Sequence, residues 1–318
     1  MLDNALYFPA MTAPRSAWFM RSVLYWDQVG LIRPGDAPDD PHTRALIDAS
    51  LVEHVEPAEY ALYGDVDPLI ERLDALELPA PSTRATFRTG VIHEEKFNLT
   101  ALDALQARGL ARRGRGPWIE VEATAAALYM AYLAALICAR KGRTRPITDR
   151  QGFVLPREDD GWARSRSEVE VLVLESILPS PVGEITAADI ARFKDRERES
   201  LRRMRRTVDA RVIDVLGLPE EMREERVELL VAELADDVAH IQEAMRRRGW
   251  RARRWSLVAL LAGVGQAGAG VLTGPWPVAA LGVMAAAGAV GVEVGARRRR
   301  DGVASPMAYA ALASAALT

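Results

Sequence analysis

Apolar positions in the first third of the chain switch between short continuous runs and helical spacing. Residues 5–8 read as a strand, and residues 15–25 as a helix with Trp18, Met20, Val23 and Leu24 apolar. Residues 28–32 read as a second strand stopped by Pro34-Gly35. This β-α-β opening continues through a helix at 43–49, a short apolar run at 51–55 and a helix at 67–76. The pattern predicts a small α/β layer. Past the Leu78-Pro79-Ala80-Pro81 breaker, a strand is expected at 89–93, a helix at 99–107, and two short strands around a basic turn within 109–121. Residues 123–139 then run 17 positions without a charge. Such a helix reaches only about 26 Å, short of a hydrocarbon layer of about 30 Å, and is read as the central core helix.

After the hinge Leu178-Pro179-Ser180-Pro181, residues 187–216 carry Ile190, Phe193, Leu201, Met204, Val208, Val212 and Val215 at alternating spacings near three and four. Gly217-Leu218-Pro219 separates that stripe from a second one on residues 220–247, with Val227, Leu230, Leu234, Val238, Ile241 and Met245. Two such stripes around a tight turn predict an antiparallel helical arm that buries its apolar faces.

The next segment differs from the rest. Residues 255–296 hold one charge, Glu293, in 42 positions, and 20 of them are Gly or Ala. Gly274-Pro275-Trp276-Pro277 divides the segment into halves of 19 residues from Trp255 and 18 residues ending at Gly295. Each half, if helical, is roughly 27 to 28 Å long, close to a bilayer core. Arg246, Arg247, Arg248, Arg251, Arg253 and Arg254 precede it, and Arg297, Arg298, Arg299 and Arg300 follow. Two passes would leave both clusters on the cytoplasmic face, as the positive-inside rule requires. Gly270-xxx-Gly274 and Gly291-xxx-Gly295 match the small-residue spacing of closely packed membrane helices. Glu293 lies one turn from Arg297 and can pair with it at headgroup depth. The competing reading packs the same hairpin into a soluble core. The ending, Ser305-Pro306 and residues 307–317, is expected to form a short apolar helix folded back onto the protein or the membrane surface.

Composition adds limits. With 49% hydrophobic and 27% charged residues in 318, a packed protein is expected. The net charge is −3, so nothing global draws the chain to nucleic acid or anionic lipid. Without the ten bracketing arginines the balance becomes −13, an acidic body ending in a neutral hairpin framed by positive charge. A single cysteine, Cys138, excludes an intramolecular disulfide and a cysteine zinc cage, and a buried small hydrophobe is its expected role. The N-terminus lacks the basic start and apolar run of a secretory signal, which points to a cytoplasmic body.

Catalytic patterns are sparse. The four histidines, at 42, 54, 93 and 240, are scattered, and His93-Glu94-Glu95 lacks the second histidine of a zinc-protease helix. Neither a phosphate loop nor a nucleophile elbow is present. Arg112, Arg113 and Arg115 on the basic turn suggest a wing that could touch nucleic acid, a partner disfavoured because no convincing helix-turn-helix stands upstream. Asp27, a carboxylate between Trp26 and an apolar strand, is either a cap or a site, and the cap is preferred.

The stretches Ala5-Leu6-Tyr7-Phe8-Pro9, Trp18, Leu24-Tyr25-Trp26-Asp27-Gln28-Val29 and Ile32-Arg33-Pro34-Gly35 resemble a bacterial domain-of-unknown-function family frequent in actinobacteria. Leu178-Pro179-Ser180-Pro181, the Gly/Ala-rich hairpin, Ser305-Pro306 and Tyr309 extend the resemblance over nearly the whole chain. It implies shared architecture and no catalytic residues.

The expectation is therefore an α+β protein with an α+β body at 1–180, a helical arm at 181–250, an apolar hairpin with arginine flanks at 251–300 and a C-terminal helix at 301–318. Its function is read as that of a non-enzymatic effector or scaffold associated with the inner membrane or anionic lipid, able to form homo-oligomers through the hairpin. No cofactor or metal is expected. The alternatives are a soluble interaction module and a nucleic-acid enzyme.

Overall fold

The computed structural model describes residues 4–61, 66–76, 78, 89–149, 161–180, 185–247 and 305–317. These residues mix helices with two small sheets, an α+β fold. They divide into two units, one drawn from Met1–Phe19 and Trp26–Glu158, the other from Met20–Tyr25 and Asp159–Thr318.

In the first unit, β1 (Asn4–Tyr7), β2 (Val29–Ile32), β3 (Val52–Val55) and β7 (Thr144–Ile147) make a sheet in the order β3-β2-β1-β7. All three pairings are parallel. Every residue of β2 is buried, as expected of a parallel strand covered on both faces. On one face Leu6, Phe8, Ile32 and Val55 join a core with α6 (Ala123–Lys141). On the other, the Tyr7 ring meets Phe19 of α1 (Ala17–Tyr25) edge-on at 5.2 Å. Gly30 lets β2 sit tightly in this layer, since a Cβ there would lie 2.9 Å from Leu6 Cδ1 and 3.0 Å from Val55 Cγ2. After β2, α2 (Pro41–Asp48) starts where the Asp40 side chain accepts from the Thr43 amide at 2.7 Å, with proline in the first turn. The short α3 (Ala58–Ala61) and α4 (Asp67–Ala75) follow β3.

A second sheet, order β4-β6-β5, is antiparallel and formed by β4 (Thr89–His93), β5 (Ala111–Arg113) and β6 (Trp118–Glu122). Between β4 and β5 lie a 3₁₀ turn, Glu94–Lys96, and α5 (Leu99–Ala107), capped by Asn98. The apolar α6 is the central core helix. Among the described residues it is the one helix long and apolar enough to cross a membrane, yet most of it is buried inside the protein.

The second unit is helical: α7 (Gly161–Ile177), α8 (Ala187–Arg196), α9 (Arg198–Leu216), α10 (Glu220–Arg247) and α11 (Ala308–Ala316). The helix expected across 187–216 is two helices, because it breaks at Glu197 (φ −99°, ψ 17°). Glu197 closes the first helix, its amide donating to Phe193 O at 3.0 Å, and opens the second, its carbonyl accepting from the Leu201 amide at 2.9 Å. α9 and α10 pack together, α7 lies against both, and so does α11. The last turn of α1 ends inside this unit, where its terminal carbonyls lack helical partners. Lys194 Nζ donates to Val23 O at 2.6 Å, Tyr309 Oη to Leu24 O at 2.8 Å and Arg205 Nε to Tyr25 O at 2.6 Å. Two of the three donors are cations at the negative end of a helix. The C-terminal helix thus folds back onto the protein.

Candidate functional site

In open α/β sheets, ligands bind beyond the carboxyl ends of the strands. There the first unit gathers Arg33 and Asp36 from the segment after β2, Glu56 after β3, and His93, Glu95 and Lys96 around the end of β4.

The 3₁₀ turn is held from below. Tyr129 Oη of α6 donates to Lys96 O at 2.7 Å and accepts from Asn98 N at 2.9 Å, while the Phe97 and Tyr129 rings stack at 4.5 Å. Burial raises the Tyr129 pKa, so the hydroxyl stays a donor at neutral pH. This support fixes the backbone of Lys96, a residue only 4% exposed. Burial first, and then the neighbouring Arg33 guanidinium, lower Lys96 to about 7. Arg33 is itself 9% exposed. It donates from Nη1 to Met11 O at 2.5 Å and from Nη2 to Pro38 O at 3.1 Å, whereas Nε is buried without an acceptor among the described residues. Glu56 Oε1 is likewise buried without a donor among the described residues, and its Oε2 lies 3.6 Å from His54 Nε2. His54 donates to Arg33 O at 2.6 Å.

Asp36, His93 and Glu95 bring three ligand-type atoms within 4.8 Å of one another. Protonation argues against a metal there. His93 Nδ1 accepts from the Glu95 amide at 3.4 Å, which places the ring proton on Nε2, and Nε2 faces Asp36 at 3.1 to 3.2 Å. A metal on Nε2 would move that proton to Nδ1, against another N–H, the reverse of the usual support for a ligating histidine. Glu95 Oε2 is already engaged by the Gly35 amide at 3.3 Å. The histidine is buried and satisfied.

The described residues among those singled out from sequence fall elsewhere. Asp27 is exposed in the bend after α1. Arg246 and Arg247 end α10. Arg248, Arg251, Arg253, Arg254, Arg297, Arg298, Arg299 and Arg300 lie outside the described residues. So do Trp255, Gly270, Gly274, Pro275, Trp276, Pro277, Gly291 and Gly295. Cys138 is buried, and burial pushes its thiol up to about 12, which leaves it inert.

Arg112 Nε donates to Glu120 Oε2 at 2.6 Å, Arg113 lies 3.6 Å from Glu94, and α5 exposes Leu99, Thr100, Asp103 and Gln106, none of them cationic.

Sequence reasoning missed Lys96 and Arg33. The available signal was local: one of only three lysines, placed between a strand and a helix and followed at once by an apolar Phe97. Compared with protein-family models, curated proteins and solved structures, the chain has no significant match.

Proposed function

We propose that the protein is a non-enzymatic effector or scaffold whose Gly/Ala-rich segment, residues 255–296, inserts into or docks on the inner membrane. The carrying observation is the pair of apolar halves matched in length between two arginine clusters. The described flanks support it. α10 and α11, which precede and follow the segment, pack against each other in one unit, so the chain leaves and returns on the same body, as a re-entrant hairpin requires. Tyr309 Oη, bonded to Leu24 O, anchors the return. The long antiparallel pair of α9 and α10 is then the arm that carries the segment. Gly270, Gly274, Gly291 and Gly295 provide close-contact positions for association of copies within the bilayer.

The soluble reading has one observation in its favour: α11 is itself rich in alanine, and Ala308, Ala310, Ala311 and Ala313 are buried in a protein core. Carbonate-washed membranes decide between the two. Full-length protein should stay in the membrane pellet, and deletion of residues 255–296 should release a folded body to the supernatant. Full-length protein that washes off, or a deletion that unfolds the body, would leave the soluble module as the function.

A further inference from the structure

Lys96 and Arg33, both buried residues, sit on loops that meet at the carboxyl edge of the parallel sheet, where His93 faces Asp36 and the Gly35 amide donates to Glu95, and among the described residues no carboxylate is paired with either cation. The Lys96 ammonium has no hydrogen-bond or ion-pair partner among the described residues, and Arg33 is compensated only by the carbonyls of Met11 and Pro38. Of the acids on the same loops, Asp36 takes His93 and Glu95 takes the Gly35 amide, while Glu56 has Oε2 3.6 Å from His54 Nε2 and, among the described residues, Oε1 buried without a donor. Burying a cation without a counter-charge is costly, and a like charge beside it adds repulsion.

We propose that Lys96 and Arg33 form a binding site for a phosphate-type oxyanion. The donors suit it. The ammonium offers up to three N–H groups and Arg33 Nε one more, while two positive charges balance a dianion. Arg33 is already oriented, because its terminal nitrogens are tied to the loops after β1 and β2, so ordering it costs little on binding. The place also fits, since loops following parallel strands are where open sheets receive ligands. Phosphate can come free in solution or as a lipid headgroup. The site does not depend on membrane insertion of residues 255–296.

Full-length protein labelled with ¹³C at the lysine Cε tests this, because the chain has three lysines, Lys96, Lys141 and Lys194, and hence three resonances. Inorganic phosphate, added at constant pH and ionic strength, is expected to move the Lys96 resonance saturably, with half-saturation in the millimolar range or below. Lys141 and Lys194 should stay put. The same additions should raise the unfolding temperature, a stabilisation that Lys96→Met abolishes. Phosphatidic-acid vesicles form the second arm. Movement with inorganic phosphate identifies a free anion, and movement with the vesicles alone identifies a headgroup. A Lys96 resonance that answers to neither, or a stabilisation that survives in Lys96→Met, overturns the proposal.

Discussion

Lys96 carries a cost that its surroundings do not repay in the free protein. The unfolded chain holds its proton up to the ordinary lysine value of 10.5, while the folded chain releases it near 7. Between those values the unfolded state binds the extra proton, so stability must rise with pH across that window and level off above it. Below 7 both states are charged and the full penalty applies. Lys96→Met removes the charge and keeps most of the aliphatic stem. In phosphate-free buffer the variant should be the more stable by up to a few kcal/mol at pH 6, and its urea midpoint should no longer climb between pH 7 and 10. A wild-type midpoint flat over that range would mean that the ammonium is solvated after all. Gly30 gives a second check at this scale. Its missing Cβ is the space occupied by the Leu6 and Val55 side chains, so Gly30→Val has to displace both within a packed layer and should cost on the order of 1 to 3 kcal/mol of stability.

Elements whose local preferences agree with their place in the fold were legible in the sequence, and elements in conflict were not. β4 and α5 fall at 89–93 and 99–107, where periodicity, strand-type residues and the Asn98 cap all agree. β7 escaped notice because Pro146 argues against a strand; it is tolerated because β7 is a sheet edge, paired only with β1. α7 escaped because Val169-Glu170-Val171-Leu172-Val173-Leu174 has the look of a strand, and packing on α9 and α10 overrides that preference. The polar cluster was invisible for another reason: Arg33 and Lys96 are far apart in sequence, and only the fold brings their loops together. α11 shows how much a small element can hold. Its Tyr309 hydroxyl caps one of the last carbonyls of α1 in a buried site. Tyr309→Phe leaves that carbonyl without its donor and should lower stability by about 1 to 3 kcal/mol, read as a lower chemical-denaturation midpoint with unchanged helix content.

At the scale of the whole molecule the charge distribution and the proposed function meet. Apart from the ten arginines around residues 255–296, the protein carries a balance of −13, which an anionic membrane surface repels. Approach to such a surface therefore depends on the brackets, each arginine adding about 1 kcal/mol close to the headgroups, less as salt rises. Replacing Arg297, Arg298, Arg299 and Arg300 with glutamine removes four of the ten without touching any described residue. The variant should bind vesicles rich in phosphatidylglycerol roughly 100-fold to 1000-fold more weakly than the wild type at low salt, an estimate from that per-residue attraction. The difference should shrink at 0.5 M salt and vanish on phosphatidylcholine, where only apolar insertion remains. Equal binding of the two proteins to anionic vesicles would show that the arginines face away from lipid, and the acidic body would then need another means of reaching the membrane.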